Sequence, residues 1–397
     1  MITSNLVELA IHKIGEKRHF LYTFESFRFN NSILLCMPEF FYVFGLGFIK
    51  AIGILLILIT LLPFTRFQAW WVRMFDFPRV QISIMIAVYF GLYIPFILAH
   101  TYGDYCFVAI GIFCFFLQLI RIAPYTRFYK HQVLKSSTQV ASGYSISFLV
   151  VNVFMYNREA KRCLDMLGNA SPDVVLAVET DKWWQKELDV LKEEYPHALA
   201  APLGNTYGML LYSKLPLEHP EIKYLLEHDI PSVHTKIILP GGVKIKFFGI
   251  HPRPPMPQES ISSVKRDAEL VMVGREAKRT NMPVVVAGDL NDVAWSHTTH
   301  LFQRISGLLD PRIGRGMFST FNSKSWFLRW PLDHIFFSHE FRVMQIARLE
   351  HIGSDHFPIF LKLSYEPQIK HEQEKPEGGV GDIEEANELL KNGYRRD

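Results

Sequence analysis

The sequence predicts an α+β chain, a layered sandwich preceded by three apolar helices long enough to enter a bilayer. Three observations carry this reading. Charge almost disappears between Phe40 and Ile120. Beyond Ser145, short β-branched apolar runs alternate with a few helical patterns. Several of those runs finish on a single acid, amide or histidine, as a strand does when it carries a functional group at its tip.

The N-terminal arm, residues 1–40, carries Lys13, Lys17, Arg18 and Arg28 but neither an apolar core behind them nor a small-residue cleavage site, so it lacks the pattern of a signal peptide. Met37 stands just before the first apolar run and is an alternative start. Residues 41–121 form a transmembrane region with runs at 44–62, 80–98 and 105–120. A helix needs about 20 mostly apolar residues to span the hydrocarbon core, and these runs lack the polar face of a soluble core helix. Lys50 interrupts the first run and is expected to snorkel to the interface. The loop from Thr65 to Arg73 sets Arg66 and Arg73 beside Trp70 and Trp71, a composition suited to the headgroup level. With three spans that loop and the C-terminal domain share one side. Its basic residues Arg66, Arg73 and Arg79, joined by Arg121, Arg127, Lys130 and Lys135, lean that side towards the cytoplasm.

Residues 122–144 read as a polar, basic linker, and 145–365 as the folded domain. Strands are expected at 147–154, 174–178, 209–211, 237–239, 243–250, 284–287, 335–337 and 359–363, with helices at 158–168 and 262–278. Many strands with few helices favour a layered α+β sandwich over a doubly wound sheet. Residues 366–397 read as a charged mobile tail in which 384–391 could form a short helix. The four cysteines show no paired spacing, which argues against a disulfide framework or a zinc–thiolate site.

The polar strand tips supply the chemistry. Asn152, Glu179 and His251 each close an apolar run, and Gly288-Asp289-Leu290-Asn291, Leu332-Asp333-His334 and Gly353-Ser354-Asp355-His356 add three more clusters. Any one of these residues is more simply a strand-end turn or a solvated side chain. Together they offer carboxylates, amides and imidazoles without a thiolate, the donor set of a hard cation such as Mg²⁺ or Mn²⁺. Such a set suits phosphoester cleavage, in which the metal polarises the phosphoryl oxygen and a carboxylate or imidazole activates water.

In that order and spacing, over residues 145–364, the series resembles the endonuclease/exonuclease/phosphatase superfamily, which includes deoxyribonuclease-like and exonuclease III-like enzymes. Apolar spans ahead of such a domain are similar to a bacterial membrane-anchored subgroup. The resemblance implies a four-layer α/β/β/α sandwich in a bacterial inner membrane, with Mg²⁺ or Mn²⁺ as cofactor. It implies Glu179 as principal metal ligand, with Asn152 and Asp355 completing the shell. Asp289 would orient or deprotonate the attacking water, and Asn291 would hold a phosphate oxygen. His356, polarised by Asp333, would contact the scissile phosphate, and His251 would stand near the leaving group. In deoxyribonuclease-like members that last histidine has a carboxylate partner, which this sequence does not reveal.

Tyr207, Arg253, Trp326 and Arg329, on loops beside the expected site, are the candidate substrate contacts. Residues 145–365 hold 25 basic and 24 acidic side chains, a balance that disfavours the many phosphate contacts of duplex binding. Tethering to a bilayer raises the effective concentration of lipid phosphates, which favours a phospholipid or polyprenyl phosphate. A membrane-tethered nuclease and an inactive binding module are the alternatives.

Overall fold

The computed structural model describes residues 39–98, 101–136 and 143–395. The N-terminal arm, Met37 and part of the expected linker lie outside the described residues. The apolar region forms three helices, α1 (Glu39–Leu61), α2 (Arg79–Phe96) and α3 (Tyr102–Ile122). Phe44–Phe64 and Tyr102–Tyr125 are each long and apolar enough to cross a membrane. The span expected at 80–98 falls on α2, whose segment Arg79–Pro95 qualifies only together with Trp70–Asp76, from which it is bent by 74°. Outward side chains such as Leu55, Leu58, Ile84, Leu92 and Phe116 stay exposed, as a lipid-facing surface requires. Gly111 lets α3 close on α2, since a Cβ there would sit 2.1 Å from the Phe90 ring. Lys50 pairs with Asp104, in the first turn of α3, at 2.8 Å. Arg79 is held by Asp76 and by the Gln118 side chain, 2.9 Å away.

The following domain packs two sheets face to face. One has the order β10-β11-β1-β2-β4-β3 and the other β5-β6-β7-β8-β9. The first contains β1 (Ser145–Asn152), β2 (Val174–Val178), β3 (His197–Ala201), β4 (Met209–Ser213), β10 (Phe341–Arg348) and β11 (Ile359–Tyr365). The second contains β5 (Leu217–Lys223), β6 (Ser232–Ile238), β7 (Lys244–Gly249), β8 (Val284–Asp289) and β9 (Asp333–Phe337). Alternate residues of β1, β2, β7 and β8, among them Phe148, Leu176, Phe247 and Val285, meet between the sheets, with Phe148 stacked on Phe247. The opposite faces are covered too. Helices α4 (Ala160–Ala170) and α5 (Lys182–Leu188) pack on the first sheet, α6 (Val264–Arg279) and α7 (His297–Ser306) on the second. The result is the four-layer α/β/β/α sandwich.

Strand direction decides where the polar tips go. β1 and β2 are parallel, as are β7 and β8, so within each pair the C-terminal ends lie together. β11 and β9 run antiparallel to β1 and β8, so they begin where those strands finish.

Parts of the expected linker and of the expected mobile tail are docked on the domain. In the linker, Tyr125 is buried against Trp295 and donates to the Ala294 carbonyl, Val133 enters the inter-sheet core, and Lys135 bridges to Val343. In the tail, α8 (Val380–Gly393) lays Ala386 and Leu389 against Val271 and Leu301 and is held by Arg304–Asp382 and His297–Glu385 pairs. Composition suggested mobility because the apolar positions of α8 are sparse; they nevertheless fall on one face.

Candidate active site

Asn152 closes β1, Asp289 closes β8 and Asp333 opens β9. Glu179 and His251 lie just beyond β2 and β7, and Asp355 and His356 just before β11. The backbone is bent at these places. Glu179 and Asn291 have φ of +58° and +51°, a region that costs a non-glycine residue about 1–3 kcal/mol and persists where the surroundings enforce it. At Gly288, with φ +149°, a Cβ would fall 1.8 Å from the Ile250 carbonyl oxygen, so only glycine lets the end of β7 approach Asp289 this closely.

The tips converge across both sheets. The Asn152 amide donates to Glu179 Oε1 at 2.7 Å and to Asp289 Oδ2 at 3.1 Å. His356 Nδ1 is 2.8 Å from Asp333 Oδ2, and its Nε2 is 3.6 Å from Asp289 Oδ2. His251 Nε2 approaches the same oxygen to 3.9 Å from the other side. Burial tends to lower the His356 pKa, but the Asp333 and Asp289 carboxylates outweigh it and raise the value to about 10. Burial raises the Glu179 carboxyl to about 7 against the bond from Asn152, and likewise raises Asp289 against His356. His251 is lowered by burial despite Asp289. The cleft therefore holds one imidazole inclined to keep its proton and one inclined to stay neutral.

The residues fit a divalent cation. Glu179, His251 and Asp289 can each turn one ligand atom to within 4.8 Å of the others, as can Asp289, Asp333 and His356. Asp355 Oδ1 and Asp333 Oδ1 are buried without a hydrogen-bond partner among the described residues, a costly condition for a carboxylate unless an ion or ligand hydrogen answers it. Oxygen donors with imidazole and no nearby thiolate suit a hard ion.

Several expected roles change. Asn152 Oδ1 accepts from the Phe154 backbone N–H while its amide group donates to the two carboxylates and so spaces Glu179 from Asp289. Asn291 Nδ2 donates to the Pro252 carbonyl and its backbone N–H to Asp289 Oδ1, so it braces the Asp289 turn. Arg253 lies over the Tyr207 ring and is engaged by Glu227, Asp229 and Glu259, which takes it out of contention as a phosphate ligand. Tyr207 is buried, bonded to Glu259, with its ring 5.4 Å from that of His251. It shapes the wall behind His251. His251 Nδ1 has no hydrogen-bond partner among the described residues; Asp289 Oδ2 lies 3.9 Å from its Nε2, and a Glu179 carboxylate oxygen lies within 4.8 Å of a ring nitrogen. His334 points away, bonded to the Asp292 carbonyl and beside Arg312. Trp326 is 86% exposed, and Arg329 lies on the same loop against the Phe357 ring.

Sequence reasoning missed Phe321, whose ring lies 5.0 Å from that of His356, and Ser323, which bonds the Ser354 and Asp355 carbonyls. Neither has a local signature, because the contact depends on the 321–330 loop folding back over the start of β11. The loop's aromatic content was the only available signal.

A family model described as the Endonuclease/Exonuclease/phosphatase family matches residues 149–356. Among solved structures, D. rerio TDP2 complexed with single strand DNA product is 18% identical, covering 55% of this chain and 99% of that one, with a TM-score of 0.46. An endonuclease/exonuclease/phosphatase from Beutenbergia cavernae is 15% identical over 56% of this chain and 72% of that one, TM-score 0.44. The human Nocturnin catalytic domain with bound sulfate anion is 14% identical over 60% and 99%, TM-score 0.44. No curated protein matches the chain in sequence.

Proposed function

The chain belongs to the endonuclease/exonuclease/phosphatase family, whose members are metal-dependent hydrolases of phosphoester bonds, and on that premise we propose that it is a membrane-anchored phosphoesterase cleaving a lipid-linked phosphomonoester or phosphodiester. The observation that carries the lipid is the route from cleft to bilayer helix. Phe321 lies against His356; nine residues on, Trp330 packs edge-on against Phe77, 5.8 Å away; and Gln81, in the first turn of α2, donates to the Phe327 carbonyl at 2.6 Å. Phe77, Tyr125, Trp295, Phe321 and Trp330 share one apolar cluster. The wall of the cleft is thus fastened to the foot of a membrane helix, which favours a substrate presented at the headgroup level. The basic residues of the first loop and of 121–135 support placing this end on the cytoplasmic side of a bacterial inner membrane.

Glu179 and Asp355 would hold the divalent ion, Mg²⁺ or Mn²⁺, which when bound polarises a phosphoryl oxygen and offsets its charge. Asp289, flanked by two imidazoles, orients the attacking water and accepts its proton. His356, its proton secured by Asp333, presents Nε2 as a cationic donor to the phosphoryl group. His251, neutral and on the opposite side of Asp289, hydrogen-bonds the departing oxygen. Asn152 keeps Glu179 and Asp289 in register between the sheets.

The test is release of product by the full chain in neutral detergent micelles from lipid phosphoesters, nucleotides and nucleic acids, with Mg²⁺, with Mn²⁺ and with EDTA. Metal-dependent cleavage of a lipid phosphoester, abolished by Asp289→Asn, is the expected result. Cleavage of nucleic acid with lipid phosphoesters untouched would replace this reading with a tethered nuclease.

A further inference from the structure

At the seam between the bilayer helices and the sandwich lies a cavity of about 670 Å³, lined by Val80 and Gln81 from the start of α2 and by Arg127, Arg315, Arg329 and Arg348. We propose that this cavity binds the phosphate of an anionic phospholipid headgroup, beside the catalytic cleft and separate from it.

Charge is the first ground. Among the described residues no carboxylate lines the cavity, although the domain as a whole is balanced in charge. Among the described residues none of its four arginines makes an ion pair. Arg315 donates to the Pro311 and Val133 carbonyls, Arg329 to those of Asn322 and Ser323, and Arg348 to that of Ser319. Arg329 and Arg348 also lie over the Phe357 ring, at 4.9 and 4.4 Å. Three of the guanidiniums are thus positioned by carbonyls, two of them also by a ring, with no carboxylate among the described residues to compensate their charge. Burial pulls down the pKa of Arg315, and burial with the neighbouring Arg329 that of Arg348. An anion would relieve both effects, and planar guanidiniums match the oxygens of a phosphate.

Position is the second ground, and it selects a lipid as the source. The cavity opens where α2 begins, level with Leu62–Phe64 at the end of α1 and Ala123–Tyr125 at the end of α3. On the segments next to these helix ends and on the cavity wall, Phe67, Trp71, Phe128 and Trp326 are exposed, aromatics of the kind suited to the interfacial layer. Trp326 and Phe327 also line the cavity, so an acyl chain leaving it would meet apolar side chains rather than water. The cavity's wall is continuous with the cleft through Phe357, the residue after His356. The inference requires the helices to lie in a bilayer but does not require turnover.

The experiment uses the full chain in neutral detergent, with native mass spectrometry counting retained lipid and the thermal unfolding midpoint as a second readout. Probes are phosphatidylglycerol, phosphatidylcholine, glycerol 3-phosphate and inorganic phosphate. The wild type should retain phosphatidylglycerol about tenfold more tightly than phosphatidylcholine, and the Arg329→Gln/Arg348→Gln pair should lose that preference, since a charge-assisted hydrogen bond is commonly worth a factor of about ten or more. If the pair fails to fold, Arg127→Gln at the exposed rim should weaken retention several-fold. Equal retention of both lipids by the wild type, or an undiminished preference in the folded variants, overturns the proposal. Glycerol 3-phosphate or inorganic phosphate binding as tightly as the lipid overturns the assignment to a headgroup. A chain that binds phosphatidylglycerol selectively yet hydrolyses no phosphoester would defeat the catalytic reading and leave the cavity's role intact.

Discussion

In the cleft, charge is answered within the cluster: Asp289 lies between His251 and His356, and His356 is tied to Asp333. In the seam, on the other side of Phe357, three of the four arginines, Arg315, Arg329 and Arg348, meet backbone carbonyls, two of them also an aromatic face, and among the described residues none of the four pairs with a carboxylate. The first arrangement suits a cation and a proton in transit, the second an anion that stays in place. A lipid phosphoester brings demands of both kinds, a phosphorus to be attacked and a negatively charged surface from which it must be presented. The difference separates residues that change the rate from residues that change where the enzyme works.

The largest effects should come from breaking the cleft. His356→Ala or Asp289→Asn should lower kcat by about a thousandfold or more, the scale expected when a general acid–base or an electrostatic contact to the transition state is lost. An unchanged thermal midpoint would show that the fold survives. EDTA should abolish activity and Mg²⁺ or Mn²⁺ restore it; full turnover in EDTA would remove the metal from the account.

Asp333→Asn should cost less, about a hundredfold, because His356 keeps Asp289 as a neighbour. The sign of its pH effect is fixed by the geometry. Against burial, Asp333 and then Asp289 hold the proton on His356 and raise its pKa to about 10, and the proposed reaction needs that proton, so activity should fall as pH rises through this value. Removing the carboxylate lowers the pKa, and the alkaline limb of the kcat profile should move to lower pH. A limb that stays in place would assign it to another group.

The cleft was more legible in the sequence than the seam, for a physical reason. Strand ends expose single side chains at predictable places, and two parallel pairs carry Asn152, Glu179, His251 and Asp289 to one end whatever the loops do. Arginines on loops carry no such constraint. Arg253 resembled a phosphate contact until Glu227, Asp229 and Glu259, remote in sequence, proved to surround it. Arg348 drew no notice because it sits on β10, and its meeting with Arg329 depends on the 321–330 loop folding over Phe357. The docking of Tyr125 and Val133 was equally hidden, since two apolar residues among basic ones do not outweigh the composition of a linker.

That docking gives the next prediction. Tyr125→Phe removes the bond to the buried Ala294 carbonyl and should destabilise the chain by about 1–3 kcal/mol, the cost of an unsatisfied buried acceptor. Because the helices and the wall of the cleft share this cluster, the loss should appear as a lower thermal midpoint, accompanied by weaker activity on vesicles. A midpoint that falls with no change on vesicles would show that the helices act only as a tether.

The smallest effect is the most discriminating between cleft and seam. Trp326 is 86% exposed, far from His356 along the loop, and touches Phe327 rather than any catalytic side chain. If it sits among headgroups, its indole contributes to depth and orientation at the bilayer and little to chemistry. Trp326→Ala should therefore raise KM for a substrate in vesicles by about threefold to tenfold, the value of roughly 1 kcal/mol of interfacial contact, with kcat nearly unchanged. A fall in kcat of the same size on a water-soluble phosphoester would move Trp326 into the cleft and dissolve the division between the two regions.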